Sequence, residues 1–336
     1  MKWLLLLLLG VSISLGCERS SQENTVIVYT ALDRNFSEPI LKKFEERTGI
    51  RVNVKYDTES TKSVGLTAAL MEERLHPRCD VFWNNEIVNT IRLKKAGILA
   101  QYRPKEAEYI PPQFVDHEGF WTGFAARARV LLVNTRNVKK EDFPRSIHDL
   151  LDARWRGKAG IARPVAGTTA THVACLFAVL GEQESKRFLE ALKANQVSFE
   201  SGNKSCAEKV GSGELHIALT DTDDAMIEII EGKPVEMVYL DTDENGMGTL
   251  FIPNTLALIM NSPHPENGKR LIEFLLSPET EQALALGSSA QIPLNQKCKV
   301  AAKIKTPWQI KAMKVDFEKA SFEWEKMKAF MLRFLE

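Results

Sequence analysis

The chain lacks the signatures of most catalytic machinery. Its six histidines, His76, His117, His148, His172, His216 and His264, include no His-x-x-x-His spacing that would seat a metal on one helix face. No Gly-x-Ser-x-Gly elbow, Walker loop or dinucleotide fingerprint occurs. The nearest glycine-rich stretch, Val210-Gly211-Ser212-Gly213-Glu214, leads into an expected strand instead of following one, the wrong order for cradling a phosphate. An enzyme and a resident cofactor are therefore not expected. Charge of one sign is missing too. Lys plus Arg is 44 and Asp plus Glu is 44, a balance that gives no electrostatic grip on nucleic acid or acidic membranes. The chain also lacks internal repeats, low-complexity tracts and any apolar run of membrane-spanning length.

What is present begins at the N-terminus. Lys2 precedes the apolar run Leu4–Leu9, and small or apolar residues continue to Gly16. The run is shorter than the ~20 residues of a membrane span and fits a secretory signal. Ser14-Leu15-Gly16-Cys17 resembles the lipobox of bacterial lipoproteins, with Ser14 where that box usually carries Leu. The expectation is a signal peptide over 1–16, lipidation at Cys17, and a polar tether over 17–24 that holds an exported, monomeric protein to a membrane by its lipid alone. A cleaved signal with a coincidental cysteine is the alternative. Without Cys17, four cysteines remain: Cys79, Cys175, Cys206 and Cys298. An oxidising compartment permits disulfides, with Cys175–Cys206 the favoured pair; buried free thiols are the other reading.

Length and patterning point to two α/β units. The chain has 336 residues, against roughly 150 per domain. Thr25–Tyr29 is a nearly continuous apolar run that suits a central parallel strand. A helix capped by Ser37 follows, carrying Ile40, Leu41 and Phe44 on one face and stopped by Gly49. Ile50–Tyr56 alternates as a second strand, and Asp80–Trp83 makes a third, with helices between and after. Three strand–loop–helix units in series make a parallel sheet with right-handed crossovers. The long apolar segment Phe124–Asn134, interrupted by Arg127 and Arg129, is expected to cross from one lobe to the other. Thr249–Met260, bent at Pro253 and Asn254, is expected to return. A second α/β lobe lies between them, and Pro307–Leu335 is expected to close the chain as a helix. The expected lobes are 25–127 with 252–290, and 128–251 with 291–336, each a mainly parallel sheet flanked by helices with a hinge and cleft between.

These pieces resemble the extracellular solute-binding proteins of bacterial ABC importers, and within them the ferric-iron-binding periplasmic proteins. The segments that carry the resemblance are Val26–Ala31, Phe44–Ile50, Cys79–Trp83, Val210–Leu215, Ile252–Thr255, Pro263–Lys269 and Phe274–Glu279. The resemblance implies a type II-like periplasmic-binding fold that closes on its ligand and delivers it to a membrane permease. It also exposes a departure. Ferric-binding members carry two adjacent tyrosines after the second-lobe strand; here that place reads Thr220-Asp221-Thr222-Asp223-Asp224, and no two tyrosines are adjacent anywhere.

Ligands in such sheets bind beyond the carboxyl ends of the strands. The candidates are Tyr29 and Thr30 after the first strand, Thr58, Glu59 and Thr61 after the second, and Asn85 and Glu86 after the third. Arg127 on the crossing strand would neutralise an anion. Gly167, Thr168 and Thr169 open a helix and would offer N–H groups to one. In the cluster after the second-lobe strand, Asp221 with Thr222 is the first choice. Asp221, Glu59 and Glu86 are the candidate oxygen ligands for a hard cation such as Fe³⁺, taken with or without a synergistic anion. Helix capping explains several of these equally well. Two ligand readings stay open: a hard metal ion, or a small oxyanion or organic solute.

Overall fold

A computed structural model describes residues 24–57, 61–301 and 303–335. The first three strands and their helices are β1 (Thr25–Thr30), α1 (Arg34–Thr48), β2 (Arg51–Tyr56), α2 (Val64–Glu72), β3 (Val81–Asn84) and α3 (Val88–Lys95). A short β4 (Leu99–Ala100) precedes the long β5 (Thr122–Asn134). Next come β6 (Ala159–Ala162), α4 (Gly167–Leu180), α5 (Glu182–Ala194), β7 (Ser198–Glu200) and α6 (Asn203–Ser212). Then follow β8 (Ile217–Asp221), α7 (Thr222–Ile230), β9 (Val235–Tyr239) and β10 (Phe251–Ile259). Helices α8 (Pro265–Leu275), α9 (Pro278–Leu286) and α10 (Phe317–Phe334) finish the chain.

The strands follow the order β2-β1-β3-β10-β5-β8-β6-β7, with β4 beside β10 and β9 beside β5. β1 runs parallel to both β2 and β3, as the strand–helix–strand units require. β5 divides its pairing between two lobes. Residues between Thr122 and Ala128 pair with β10, while Arg129–Asn134 pair with β8 and β9. All thirteen residues of β5 are buried, which is why the run reads as apolar from end to end.

Amphipathic helices cover both sheets. α8 buries Gly268, Leu271, Ile272 and Leu275, the spacing of one helix face. Gly268 permits the close approach, since a Cβ there would meet Leu258 Cδ1 at 2.8 Å. α10 buries Ala320, Trp324, Met327 and Met331 along one stripe and packs on α3 of the first lobe and α4 of the second.

Several expectations need correction. α1 starts at Arg34, so Ser37 is not its cap; the Ser37 hydroxyl instead donates back to the Asp33 carbonyl at 3.0 Å. α7 starts at Thr222, with Asp221 in the capping position. The last helix starts at Phe317, not Pro307. Upstream of it, Thr249 exchanges backbone bonds with Lys311 and Met313, which holds that segment extended. Strand β7, only three residues long, and strand β9 were not among the expected strands. All four cysteines are free, Cys79, Cys175 and Cys206 buried, so the Cys175–Cys206 bridge is absent.

Candidate ligand-binding site

The site is built where three helices of the second lobe begin. α4, α6 and α7 each follow a strand of the same sheet, and their N-termini converge on one cavity of about 180 Å³. Gly167, Thr168 and Thr169 come from α4, Gly202 and Asn203 from the start of α6, and Asp221, Asp223 and Asp224 from the end of β8 and the first turn of α7. The first lobe contributes Asp33, Lys62 and Asn85, and the crossing strand contributes Arg127. Arg163 completes the wall. The lobes touch across it: the Gly167 N–H donates to the Lys62 carbonyl at 3.0 Å.

A buried frame sets these N-termini. Arg129 and Asp221 are register partners on β5 and β8. Arg129 Nη1 donates to Asp221 Oδ1 at 2.7 Å and to Asn203 Oδ1 at 3.0 Å, and Nη2 donates to Thr169 Oγ1 at 3.1 Å. The Thr168 hydroxyl donates to Asp221 Oδ2. Asn203 Nδ2 donates to Asp221 Oδ2 at 3.0 Å. The side chains of Asp221, Thr168 and Thr169 are therefore occupied by one another, and their role is to hold α4 and α6 together. What remains for a ligand is the first-turn backbone N–H groups other than that of Gly167, which is spent on Lys62; they have no carbonyl four residues back.

The wall is electrically divided. Neither α4 nor α6 has an acidic residue in its first turn or a side-chain cap, so the positive ends of both helices face the cavity without an acid of their own. α7 carries Asp223 and Asp224. Burial pushes Asp223 up, with Arg127 opposing. Burial, with Asp223 beside it, pushes Asp224 well above the usual carboxylate range. Arg127 Nε sits 3.5 Å from Asp223 Oδ2 but makes no hydrogen bond, and Asn85 Oδ1 is a second buried polar atom on the wall without a partner.

Of the candidates read from sequence, Asn85, Arg127, Gly167, Thr168, Thr169 and Asp221 come together here. Tyr29, Thr30, Thr61, Glu86 and Thr222 do not line the cavity. The Tyr29 hydroxyl donates to Glu73, and Thr30 Oγ1 accepts from the Leu32 N–H. Glu86 is fully buried and accepts from Asn84, the Asn89 N–H and Thr171 across the lobes. The Thr222 hydroxyl accepts from the Ala128 N–H. Thr58, Glu59 and Cys17 lie outside the described residues. Sequence reasoning missed Arg129, Asn203, Lys62, Asp33, Arg163, Asp223 and Asp224 as site residues. Arg129 had a signal, a charge inside an apolar strand, and Asp223 and Asp224 read as first-turn acids of a helix; the other four lie in loops or a helix start that no local pattern distinguishes.

Two lobes sharing one buried strand, with a polar cavity at the strand ends, define a solute-binding fold. The chain belongs to the family of bacterial extracellular solute-binding proteins, whose model matches residues 90–321. Iron uptake protein A1 of Synechocystis is 24% identical over 289 residues, covering 82% of this chain and 79% of the relative. A putative 2-aminoethylphosphonate-binding periplasmic protein of Salmonella typhi is 26% identical over 238 residues, covering 66% and 68%. Iron-bound HitA from Pseudomonas aeruginosa superposes with a TM-score of 0.82 at 25% identity, covering 91% of this chain and 99% of that one. Among the described residues no helix is long and apolar enough to cross a membrane.

Proposed function

We propose that this protein captures a small bipolar solute, with an oxyanion at one end and an ammonium at the other, and hands it to the permease of an importer. The observation that carries the reading is the divided wall. Uncapped N-termini of α4 and α6, with Arg163 nearby, suit an oxyanion. Asp223, Asp224 and the unpartnered Asn85 Oδ1 suit an ammonium. The relative named for 2-aminoethylphosphonate supports this class. The Cys17 anchor and the permease belong to the same proposal.

A hard metal ion is the second reading, supported by the relatives named for iron uptake and iron binding and by the ligand oxygens of Asp221, Asp223 and Asp224, which lie within 4.8 Å of one another. Three features weigh against it. Asp221 is saturated by Arg129, Thr168 and Asn203. Lys62, Arg127 and Arg163 on the wall would repel a trication. None of the chain's five tyrosines lines the cavity.

Titration calorimetry with 2-aminoethylphosphonate, ethylphosphonate and ferric citrate separates the two. The bipolar reading expects 2-aminoethylphosphonate to bind at least tenfold more tightly than ethylphosphonate, about 1.4 kcal/mol, with no retained iron. Stoichiometric iron in the purified protein, with no heat from either phosphonate, would sink it.

A further inference from the structure

The hinge contains a second polar device, outside the ligand cavity. Three chain segments cross there: β5, β10 and residues Gln291–Asn295. Between its pairs with Asn254 and Ile252, β5 carries two residues, Ala125 and Ala126, opposite the single Pro253 of β10. This is a β-bulge, and Pro253 has no N–H to lose there. Ala125 adopts φ +41°, a left-handed conformation that costs a residue with a Cβ. Ala126 exchanges backbone hydrogen bonds with Ile292 at 2.8 and 2.7 Å.

Two side chains tie the crossing together. Glu281 of α9 is fully buried. Its carboxylate accepts from the N–H groups of Ala125 at 2.5 Å, Leu294 at 3.0 Å and Asn295 at 2.6 Å. Asn254 of β10 donates to the Ala125 carbonyl and, at 3.1 Å, to Gln291 Oε1. Its Oδ1 accepts from Arg127 Nη2 at 3.3 Å, and Arg127 lines the ligand cavity. The backbone of Ala125 is thus gripped on both sides of its Cα, its N–H by Glu281 and its carbonyl by Asn254. A chain of hydrogen bonds runs from the cavity wall to the strained residue.

We infer that Glu281 and Asn254 are positioning residues that pin the hinge in the ligand-competent geometry, and so set how tightly any ligand is held without choosing which. The reasoning is thermodynamic. A residue that touches the ligand changes the affinities of two ligands by different factors. A residue that alters the competent fraction multiplies every dissociation constant by one common factor. Neither Glu281 nor Asn254 lines the cavity, so their effect falls in the second class. Arg127 falls in the first.

The test compares Glu281→Gln, Asn254→Ser and Arg127→Met with the native chain. Titration calorimetry uses two probes, inorganic phosphate and 2-aminoethylphosphonate. Hydrogen exchange of the Ala125, Leu294 and Asn295 amides is followed without any probe. Gln at 281 keeps the shape and removes a carboxylate whose pKa burial has already pushed up to about 7, so the variant is expected to fold; circular dichroism verifies this, and Asn254→Ser is the independent second variant. Both hinge variants should weaken the two probes by the same factor, on the order of tenfold, and speed exchange at the three amides. Arg127→Met should change the ratio between probes. Unequal factors in the hinge variants, or unchanged exchange at all three amides, overturn the proposal. The inference does not depend on the bipolar ligand: if native protein binds neither probe, that reading fails, and amide exchange alone decides the hinge.

Discussion

Arg129 and Asp221 face each other as register partners on β5 and β8, Nη1 to Oδ1 at 2.7 Å, both almost fully buried. Asp221 was the first choice for a ligand from sequence; the structure gives its carboxylate three protein partners instead. Removing one member of a buried pair strands the other charge, which typically costs 3–5 kcal/mol. Arg129→Met should therefore lower stability by about 3 kcal/mol, measured as a shift in the urea midpoint. A variant as stable as the native chain would show that the pair frames nothing. Asp221→Asn keeps hydrogen-bonding groups at the position and should cost less, about 1–2 kcal/mol.

Asp224→Asn should have opposite effects on stability and binding. The folded-state pKa of Asp224 is raised by burial and by Asp223. The folded chain thus holds a proton that the unfolded chain releases near pH ~3.9. That contribution is complete below the unfolded value and is lost as pH rises through the folded one. The Asn variant should melt higher than the native protein at pH 7, with the advantage vanishing towards pH 4. It should also bind 2-aminoethylphosphonate at least tenfold more weakly while leaving ethylphosphonate unaffected. Equal loss for both ligands would remove the ammonium from this position.

Asn85 carries a buried acceptor with no protein partner. Replacing an unsatisfied polar group with an apolar one of similar shape is nearly neutral for folding. Asn85→Leu should therefore keep its melting temperature while losing affinity for 2-aminoethylphosphonate by about tenfold, one hydrogen bond to a charged group. Calorimetry beside a melting curve reads both. Intact affinity would mean that Asn85 does not reach the ligand.

Cys17→Ser should release the exported protein from the membrane fraction. The motive is the apolar run that ends at Gly16-Cys17. Intact-mass measurement of the native protein should show acyl chains at residue 17. A native chain without lipid mass, together with a variant that stays in the membrane fraction, would end the idea.

The sequence by itself determined the class of fold and the existence of its main strands. β1, β2 and β3 announce themselves by periodicity, and β5 by its length, because burial on both faces demands unbroken apolar runs. The bend at Pro253 and Asn254 was legible because proline cannot join a ladder. Helix starts at Gly167–Thr169 and Asp221–Asp224 were legible for the same local reason: each start leaves donors that need acceptors. Whether such a start caps itself, braces a neighbour or faces a ligand is not a local matter. Only tertiary structure decided that Asp221 is spent on Arg129, that Glu86 is buried against Thr171, and that Asn85 Oδ1 is left without a partner. It also placed Lys62 and Asp33 of one lobe beside Asn203 of the other. Local patterns report which face is buried. The partner of a buried charge comes from wherever the crossing of β5 and β10 brings a distant segment, and no periodicity records that.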